Sequence, residues 1–485
     1  MNGLLDFSQP LQRTASLATL LIAAWFLYQP ALGGAFMLDD LHNLGGLSTV
    51  TDPSSAAQYV FNGIAGPLGR PVALASFALQ ADSWGGSARP FLTVNVMIHI
   101  LNGLLAYLFF LQLAAARRFA AGPAHLAALG ALAVWLLMPL LATSSLMVVQ
   151  RMTTLAALWM LVGLNGYLHF RRQLDVRPQP ALAGMSVSLV LATALAVLSK
   201  ENGALLPGLV LVTEACLLSR PVALSSKHWL LWRSVFLLAP VMVIAAFLLK
   251  LVPYDPVVVK ARDFTAYERL ITEARVLWDY VLGALFPRGS SFSPFHDDYP
   301  VSRSILEPAV LLATTAWAAV IAGAIVLRRR VPLFSFAVGW FLVAHLLEST
   351  TVPLYLYFEH RNYSAMLGPA FAVAAGVVAV SSARLQTALR VLLAGFVIVN
   401  GLVLLGITST WGKPQVAAGL WQIESPDSAH ALSFLVRQQV ASGNPDGAIV
   451  TISRFVESHP EYGYLRLPQL TLSCSIRPGN CLLYT

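Results

Sequence analysis

The sequence predicts an all-α integral membrane protein, because it combines long apolar runs, few charged residues and basic residues confined to the gaps between those runs. Of its 485 residues, 57% are hydrophobic and only 11% are charged, whereas soluble domains carry about 25% charged residues. The formal net charge of +8 comes from small groups of Lys and Arg rather than from one basic face. Membrane lipid is therefore an expected partner, and nucleic acid is not.

Apolar runs of nearly the length of a membrane helix recur along the chain. A helix needs about 20 apolar residues to cross the hydrocarbon core, and shorter runs can be completed by their flanking residues. We predict a bundle of about eleven such helices, which forms a membrane domain over residues 1–407. The predicted spans cover residues 15–32, 92–113, 126–146, 154–170, 183–198, 205–218, 235–251, 309–327, 333–347, 366–380 and 391–407.

Basic residues between the predicted spans assign an orientation to the bundle. Lys and Arg in short loops favour the cytoplasmic side of a membrane. If the N-terminus is cytoplasmic and the C-terminus periplasmic, these groups of basic residues all lie in the cytoplasm. This orientation predicts a multi-pass protein of the bacterial inner membrane. We interpret the first span as an uncleaved anchor, because no convincing signal-peptide cleavage site follows it. The groups are Arg13, Arg117, Arg118, Arg171, Arg172, Arg177, Arg220, Lys227, Arg233, Arg328, Arg329, Arg330, Arg384 and Arg390.

The long segments between spans all fall on the periplasmic side in this orientation, so function is expected there. They are the outer loops at about residues 33–90 and 252–308 and the tail over residues 408–485. The cytoplasmic loops are short and hold neither a P-loop nor a dinucleotide fingerprint, so nucleotide-driven chemistry is not expected. Short interfacial helices are predicted over residues 56–64, 72–81 and 266–285.

The tail is predicted to be a helical hairpin, with helices over residues 429–442 and 448–458. The spacing of the two helices is typical of a tetratricopeptide repeat. A single unit cannot bury its apolar face alone, so it should dock on the membrane domain, as a packing cap or as a partner-binding unit. Cys474 and Cys481 would form a small disulfide loop in an oxidising compartment, whereas Cys216 is expected to be a buried free thiol.

Two adjacent carboxylates, Asp39 and Asp40, follow the first predicted span. Adjacent carboxylates raise one another's pKa, and such a group can act as a general base or help to hold a divalent cation. A solvated helix cap is the alternative interpretation. Asn43 in the same segment is a further candidate for substrate contact. The sequence leaves open whether any metal is required.

The second predicted span carries Asn95, His99 and Asn102 at helical spacing on one face. Such a stripe must face protein or water. Hydrogen bonding between helices and substrate contact explain it equally well, so Asn95 and His99 are candidate substrate-binding residues. A metal role for His99 is disfavoured, because no second His stands at a ligand spacing beside it.

Polar residues also lie at the periplasmic ends of later predicted spans. Converging cations there could cradle a phosphate, because Arg offers a fork of donors and Lys a point charge. Snorkelling to lipid head groups would explain a single cation, but it explains poorly why acids accompany the cations. In the second outer loop, a His beside two carboxylates could bind metal or substrate hydroxyls, although an ordinary polar turn fits too. The candidates are Gln150, Arg151, Lys200, Glu201, Glu359, His360, Arg361, Asn362, His296, Asp297 and Asp298.

The order and shared sidedness of these motifs resemble the GT-C superfamily of membrane glycosyltransferases. Within it, the chain resembles the transmembrane and tetratricopeptide repeat-containing O-mannosyltransferase group and its bacterial relatives. The resemblance covers nearly the whole chain, although the tail has room for only about one repeat unit. The motifs are Leu38-Asp39-Asp40, Gly69-Arg70-Pro71, Asn95 to Asn102, Gln150 to Thr154, Leu198 to Gly203, Asp297 to Arg303 and Phe358 to Tyr363.

The resemblance implies a GT-C-like bundle that takes its sugar from a polyprenyl-phosphate carrier. It implies that Asp39 or Asp40 deprotonates a hydroxyl acceptor, on the Ser or Thr of an exported, conceivably pilin-like protein or on a glycan. It further implies that outer basic residues hold the carrier phosphate. We assign that role to Arg70, Arg151, Lys200, His360 and Arg361.

Two alternatives stay open at the level of sequence. An oligosaccharyltransferase or O-antigen polymerase would use a diphosphate-linked glycan and the same outer cations. A lipid-linked glycan flippase or transporter should carry ionisable groups at several depths. The acids here are mainly outside, with Glu214 as the chief intramembrane exception, which favours an enzyme.

Overall fold

The computed structural model describes residues 10–287 and 293–466 together with Thr471, and these residues form helices and turns without any β-strand. Many helices begin with a proline in the first turn, where the missing N–H has no partner to lose. The α-helices are α1 Pro10–Tyr28, α2 Asp40–Leu44, α3 Pro53–Phe61, α4 Pro71–Ala78, α5 Arg89–Ala116, α6 Ala121–Leu136, α7 Thr143–Leu146, α8 Arg151–Arg171, α9 Pro178–Val197, α10 Leu206–Cys216, α11 Ser226–Arg233, α12 Ala239–Lys250, α13 Pro256–Arg262, α14 Ala266–Leu285, α15 Pro308–Val326, α16 Pro332–Ala344, α17 Asn362–Ala365, α18 Leu367–Ala379, α19 Ala383–Trp411, α20 Pro414–Glu424, α21 Ala429–Ala441 and α22 Pro445–Ser458.

Among the described residues, six helices are long and apolar enough to cross a membrane, and the number rises to eight if each of two bent pairs is one span. The prediction of a helical membrane protein is therefore confirmed, whereas a bundle of eleven spans is not. The six are Pro10–Gly33, Arg89–Ala116, Pro178–Val197, Ser226–Lys250, Pro308–Val326 and Ala383–Trp411. The bent pairs are Ala121–Leu136 with Pro139–Leu146, at 59°, and Glu359–Ala365 with Leu367–Ala379, at 52°.

The remaining predicted spans differ from the observed helices for identifiable reasons. Within residues 205–218, α10 is only 11 residues long because a 3-10 helix precedes it. In residues 333–347, α16 ends after 13 residues. The run at 154–170 lies in α8, which has 21 residues but carries polar side chains and is enclosed by α5, α9 and α10. A helix surrounded by protein need not be uniformly apolar.

Three polar side chains on α5 are fully buried and join this helix to its neighbours. Asn95 donates through Nδ2 to the carbonyl of Met147 at 3.1 Å, and Asn102 donates to the carbonyl of Thr154 at 2.8 Å. His99 contacts a tyrosine hydroxyl at 2.8 Å. The stripe predicted from helical spacing is therefore used between helices, and its residues present no open face to a substrate.

Arg151, at the start of α8, is fully buried and satisfied by neutral groups. Its Nε donates to Asn95 Oδ1 at 2.7 Å, and its Nη atoms donate to the carbonyls of Ser76 and Phe91 at 3.1 and 3.0 Å. The guanidinium also lies 4.3 Å from the ring centroid of Phe77. These contacts attach the first outer loop and α5 to the start of α8.

The basic residues at the far end of α8 lie together. Arg13 and Arg172 line one cavity, and Arg171 and Arg233 both stack on Trp229, at 5.1 and 6.0 Å. An α-helix rises about 1.5 Å per residue, so α8 separates this end from its first residue by about 30 Å. These arginines, which the sequence predicts to share the cytoplasmic side, are therefore neighbours at one end of the bundle.

Glu214 is the acid that the sequence places inside a predicted span, and it is buried in an ion pair. Arg171 Nε donates to Glu214 Oε1 at 2.7 Å, and the hydroxyl of Tyr167 donates to the same oxygen at 2.8 Å. A carboxylate satisfied by a fixed arginine and a tyrosine is a structural connection between α8 and α10. It supplies no unpaired charge of the kind that a transport pathway would use.

The tail helices α20 and α21 dock on the second outer loop, and α22 packs on α21. Phe295 of that loop packs against Trp421 and Phe434, with ring centroids 5.6 and 5.8 Å apart. Asp297 accepts a hydrogen bond from the hydroxyl of Ser428, the residue that caps α21. The predicted hairpin therefore exists, and its apolar face is covered by the rest of the chain.

The predicted boundary of the tail falls inside a continuous helix, because α19 runs on to Trp411. Gly412 then ends this helix against the first span, where any Cβ would overlap the carbonyl oxygen of Pro30. Cys216 is a free thiol, as predicted, but it is half-buried rather than fully buried. The predicted disulfide between Cys474 and Cys481 lies outside the described residues.

We predict that Arg151→Ala lowers the stability of the purified protein by about 3 kcal/mol, because three buried acceptors lose a charged donor at once. Thermal unfolding in detergent measures this effect. The matched control is Arg390→Ala, since Arg390 is exposed on α19 and its removal should leave unfolding unchanged. Equal stability of the Arg151 variant and the wild type would contradict the structural role of Arg151 in attaching the first outer loop and α5 to α8.

We also predict that Asp297→Ala and Ser428→Ala loosen the tail by about tenfold each, because each removes one partner of a part-buried, charge-assisted hydrogen bond. The rate of limited proteolysis between α19 and α21 measures how often the tail detaches from the second outer loop. Since both variants break the same bond, the double variant should lose less than the sum of the two, while Ser428→Ala also loses the cap of α21 and Asp297→Ala the contact with His430. Ser442→Ala, at the exposed end of α21, is the control, and additive effects would argue against a direct bond.

Candidate functional site

The first outer loop holds Asp40 inside the protein and leaves its neighbour Asp39 exposed. Asp40 is 0% exposed. Its Oδ2 accepts from the backbone N–H of Met37 at 2.9 Å, and its Oδ1 accepts from the N–H of Val149 at 2.6 Å. The preceding Leu38 has a φ of +47°, a strained conformation for a residue with a side chain. The carboxylate therefore joins the loop to the chain just before α8.

Burial raises the pKa of Asp40 to about 7, although the N–H groups of Met37 and Val149 favour the ionised form. Asp39 raises the pKa further by repulsion. A carboxyl group that titrates near neutral pH is suited to general-base chemistry. The charge of Asp40 also acts on Arg437 of α21, whose pKa is lowered by burial and supported by Asp40.

Lys200 lies in the turn between α9 and α10 and is held by two polar partners. Its Nζ lies 2.9 Å from Glu348 Oε1 and donates to Thr153 Oγ1 at 3.0 Å. Asn202 donates to the second oxygen of Glu348 at 2.5 Å. Burial alone would raise the pKa of Glu348, but nearby cations, with Lys200 first, hold it well below its usual range. Burial lowers the pKa of Lys200, and the charge of Glu348 opposes that shift.

Arg70 forms the most accessible ion pair of this region. Its Nη2 lies 2.7 Å from Glu201 Oε2, and the two side chains are 21% and 27% exposed. Arg70 has a φ of +50° and follows Gly66, with a φ of +66°. A Cβ at Gly66 would overlap Glu201, so the loop can wrap around the pair only with glycine there.

Two arginines share one carboxylate beneath the segment that precedes α17. Glu273 Oε1 lies 2.8 Å from Arg269 and 3.5 Å from Arg361. Arg269 also donates to three backbone carbonyls in residues 348–354, and Arg361 donates to two in residues 355–356. All three side chains are buried. This group therefore carries an excess positive charge.

His360 lines a cavity of about 10 Å³ with Thr153, Lys200, Asn202 and Arg361 among the other lining residues. That volume corresponds to about one water molecule. Within the described part of the chain, His360 Nδ1 and Arg361 Nε are buried without a hydrogen-bond partner. Unsatisfied donors and acceptors beside a lysine are costly unless a polar ligand or water meets them.

The second outer loop contributes His296, whose Nε2 forms a short contact with Glu359 Oε1. Burial lowers the pKa of His296, but Glu359, Asp298 and Asp297 together raise it above the usual value. Burial raises the pKa of Asp298, and repulsion from Asp297 adds to it. His296 thus holds Glu359, the residue just before His360.

One segment connects the separate parts of the site. Val149 donates its N–H to Asp40, the next residue Gln150 accepts from Thr153 at 2.8 Å, and Thr153 accepts from Lys200. The short helix α7, just before this segment, contacts the 3-10 helix Glu359–Arg361. Asp40, Lys200 and His360 therefore surround the same stretch of backbone.

Other predicted site residues have structural partners. Asn95, His99 and Arg151 are used between helices, as described above. Asn43 is partly exposed and donates to the carbonyl of Asp39 at 2.8 Å, and Asn362 donates to the carbonyl of Glu359 at 3.1 Å. These contacts shape the site, but they leave few groups of these residues for a substrate.

Sequence reasoning missed several polar residues of the site. Glu348 follows an apolar run, which is the same signal that identified Glu201 and Glu359. Buried hydroxyls of Thr143, Ser144 and Ser145 have no hydrogen-bond partner among the described residues, and no pattern distinguished them from an ordinary helix end. Arg437, whose pKa is supported by the charge of Asp40, was missed because an interaction between charges far apart in sequence leaves no mark in local sequence.

A metal site finds no support in the described residues, where no group of three or more His, Cys, Asp and Glu side chains could hold an ion. The glutamates of the site instead pair with arginine, lysine or histidine, and Asp40 accepts from backbone N–H groups. Asp39 and Asp40 also differ in exposure, so they do not present two oxygens to one point in solvent.

Comparison with known proteins adds no family assignment. No family model, curated protein or solved structure matches this chain.

Proposed function

We propose that this chain is a membrane glycosyltransferase of GT-C type, which transfers a sugar from a polyprenyl-phosphate carrier to a hydroxyl acceptor on the periplasmic side of a bacterial inner membrane. The supporting observation is the juxtaposition of a buried acid, Asp40, with cations at one end of the bundle, all around residues 148–153. An exported protein and a growing glycan are both suitable acceptors.

The distribution of charge supports the proposed side of the membrane. Arg13, Arg171 and Arg172 lie at the end of α8 opposite to Arg151 and Asp40, about 30 Å away. That distance equals the thickness of the hydrocarbon core. Because Lys and Arg near helix ends and in short loops favour the cytoplasm, the acid and its neighbouring ion pairs would face the periplasm.

Asp40 is the candidate general base. In the proposed reaction, the acceptor hydroxyl gives its proton to the carboxylate while its oxygen forms a bond to the anomeric carbon. The bond from that carbon to the phosphate oxygen breaks, and the polyprenyl phosphate leaves with the electron pair. Asp40 is fully buried in this conformation, so the acceptor would reach it only when the surrounding loop opens, or would be deprotonated by the exposed Asp39 instead.

The cations account for stabilisation of the leaving phosphate. Arg361 and Arg269 share one carboxylate, which leaves an excess positive charge beside Lys200 and His360. Preorganised positive charge lowers the barrier when negative charge develops on a leaving group. Arg70, partly exposed, could meet the phosphate first. Arg151 is better explained as a structural clamp, because its donors are already engaged.

We predict that Asp40→Asn lowers the release of polyprenyl phosphate by at least ~100-fold, since a general base contributes a factor of about 10² or more. The assay follows purified protein with a lipid-linked sugar and a hydroxyl acceptor. Asp82→Asn is the control, because Asp82 is an exposed acid in the same loop. A folded Asp40 variant with wild-type turnover would exclude Asp40 as the base, and loss in Asp39→Asn alone would transfer the role to Asp39.

The rate should rise with pH through about 7, because the base must be unprotonated and burial raises the pKa of Asp40 to about 7. Turnover measured between pH 5.5 and 8.5 at saturating donor tests this, with residual activity of Asp40→Asn expected to lack the transition. A wild-type rate independent of pH across this range would contradict a base with that pKa.

The mass of the product separates a monosaccharide donor from a diphosphate-linked glycan. Intact mass of the modified acceptor should increase by one sugar. An increase by a whole oligosaccharide unit would instead assign the chain to the oligosaccharyltransferase or polymerase class, with the same acid and cations.

A further inference from the structure

A second cavity, much larger than the one beside His360, lies at the other end of α5 and α8. Its volume is about 760 Å³, and its lining includes Arg13, Gln112, Asn165, His169 and Arg172. Leucines, alanines and a phenylalanine form the rest of the wall. Among the described residues that line it, none is acidic.

The polar groups of this groove are organised by their own hydrogen bonds. Asn165 donates to the carbonyls of Leu105 and Leu161 at 2.9 and 2.8 Å. Gln112 donates to Asn165 Oδ1 at 2.7 Å and accepts from Arg172 Nη2 at 2.9 Å. The interhelical contact therefore orients one Nη of Arg172 and leaves a planar fork of further donors on an exposed side chain.

An apolar stripe leads away from the groove along α5. Leu108, which lines the groove, is 42% exposed, and Leu101 and Met97 on the same helical face are 45% and 57% exposed. The stripe spans about 16 Å at 1.5 Å per residue. That length is comparable with one leaflet of the hydrocarbon core, which is about 30 Å across.

The end of the bundle that holds the groove is rich in basic residues. Arg117 and Arg118 lie in the turn between α5 and α6, beside the groove residue Phe119. Basic pockets between membrane helices bind the head groups of anionic lipids, because charge and hydrocarbon meet at that depth. A soluble anion would gain nothing from the stripe, and a neutral lipid would gain little from the arginines.

We propose that this groove is a binding site for an anionic phospholipid, with the phosphate between Arg13 and Arg172 and one acyl chain along Leu108, Leu101 and Met97. His169 lies at the same wall and adds a further donor. The site is about 30 Å from Asp40 along α8, and it is independent of sugar transfer. The lipid would fill the cleft between α1, α5, α6 and α8 and stabilise their packing.

The test uses the full-length protein in a neutral detergent, titrated with dimyristoyl phosphatidylglycerol, and measures the rise in thermal unfolding temperature. The double variant Arg13→Gln with Arg172→Gln should raise the phospholipid concentration needed for half-saturation, by about 5-fold for each arginine removed. Arg384→Gln with Arg390→Gln, exposed residues of α19 on the proposed cytoplasmic side, is the matched control and should bind like the wild type. Equal weakening in both pairs would show only general charge attraction and would overturn the proposal.

Two further probes test the head group and the chain separately. Phosphatidylcholine with the same acyl chains and inorganic phosphate at millimolar concentration should each give no saturable stabilisation. A response to inorganic phosphate equal to that of the phospholipid would make the groove a simple anion site and contradict the proposal. If the Arg13 and Arg172 variant is unstable on its own, Leu108→Gln provides the second variant, and it should weaken the phospholipid without changing the charge.

Discussion

The backbone between Pro139 and Thr153 is the feature on which the rest of the structure depends. It interrupts an apolar run inside the bundle, where backbone N–H and C=O groups must find partners within the protein. The side-chain amide of Asn95 donates to two backbone carbonyls of this segment, and Asp40 accepts from the N–H of Val149. Arg151 closes the arrangement by binding Asn95 in turn. The candidate site is therefore built where regular helical bonding fails.

Much of the fold follows from apolar periodicity, and the differences arise where tertiary packing decides. The helix predicted over residues 266–285 is observed as Ala266–Leu285, because a capping box and an amphipathic pattern are local properties. The run over 126–146 reads as one span, but Pro139 permits a bend that its neighbours then stabilise. The polar side chains of α8 did not reveal its position either, because hydropathy does not show whether other helices enclose a helix.

Part of the candidate site was predictable from sequence, but Glu348, Arg269 and Glu273 were missed, and so were the pairings of its acids and bases. Lys200 stood out as a cation after an apolar helix, yet its partner Glu348 lies 148 residues along the chain. Asp39 and Asp40 looked equivalent in sequence, and only burial separates them. Asn95 and Arg151 were predicted as substrate contacts because buried polar groups are costly in a membrane. The structure meets that cost with hydrogen bonds between helices, which local sequence does not distinguish from a binding site.

The most direct test of the central claim is photo-crosslinking with a polyprenyl-phosphate sugar that carries a diazirine near its phosphate. The reaction should label peptides that contain residues 143–153, Lys200 or His360, and an excess of unlabelled polyprenyl phosphate should prevent it. Labelling confined to the opposite helix ends, around Arg13 and Arg172, or labelling insensitive to competitor, would contradict a donor site beside Asp40.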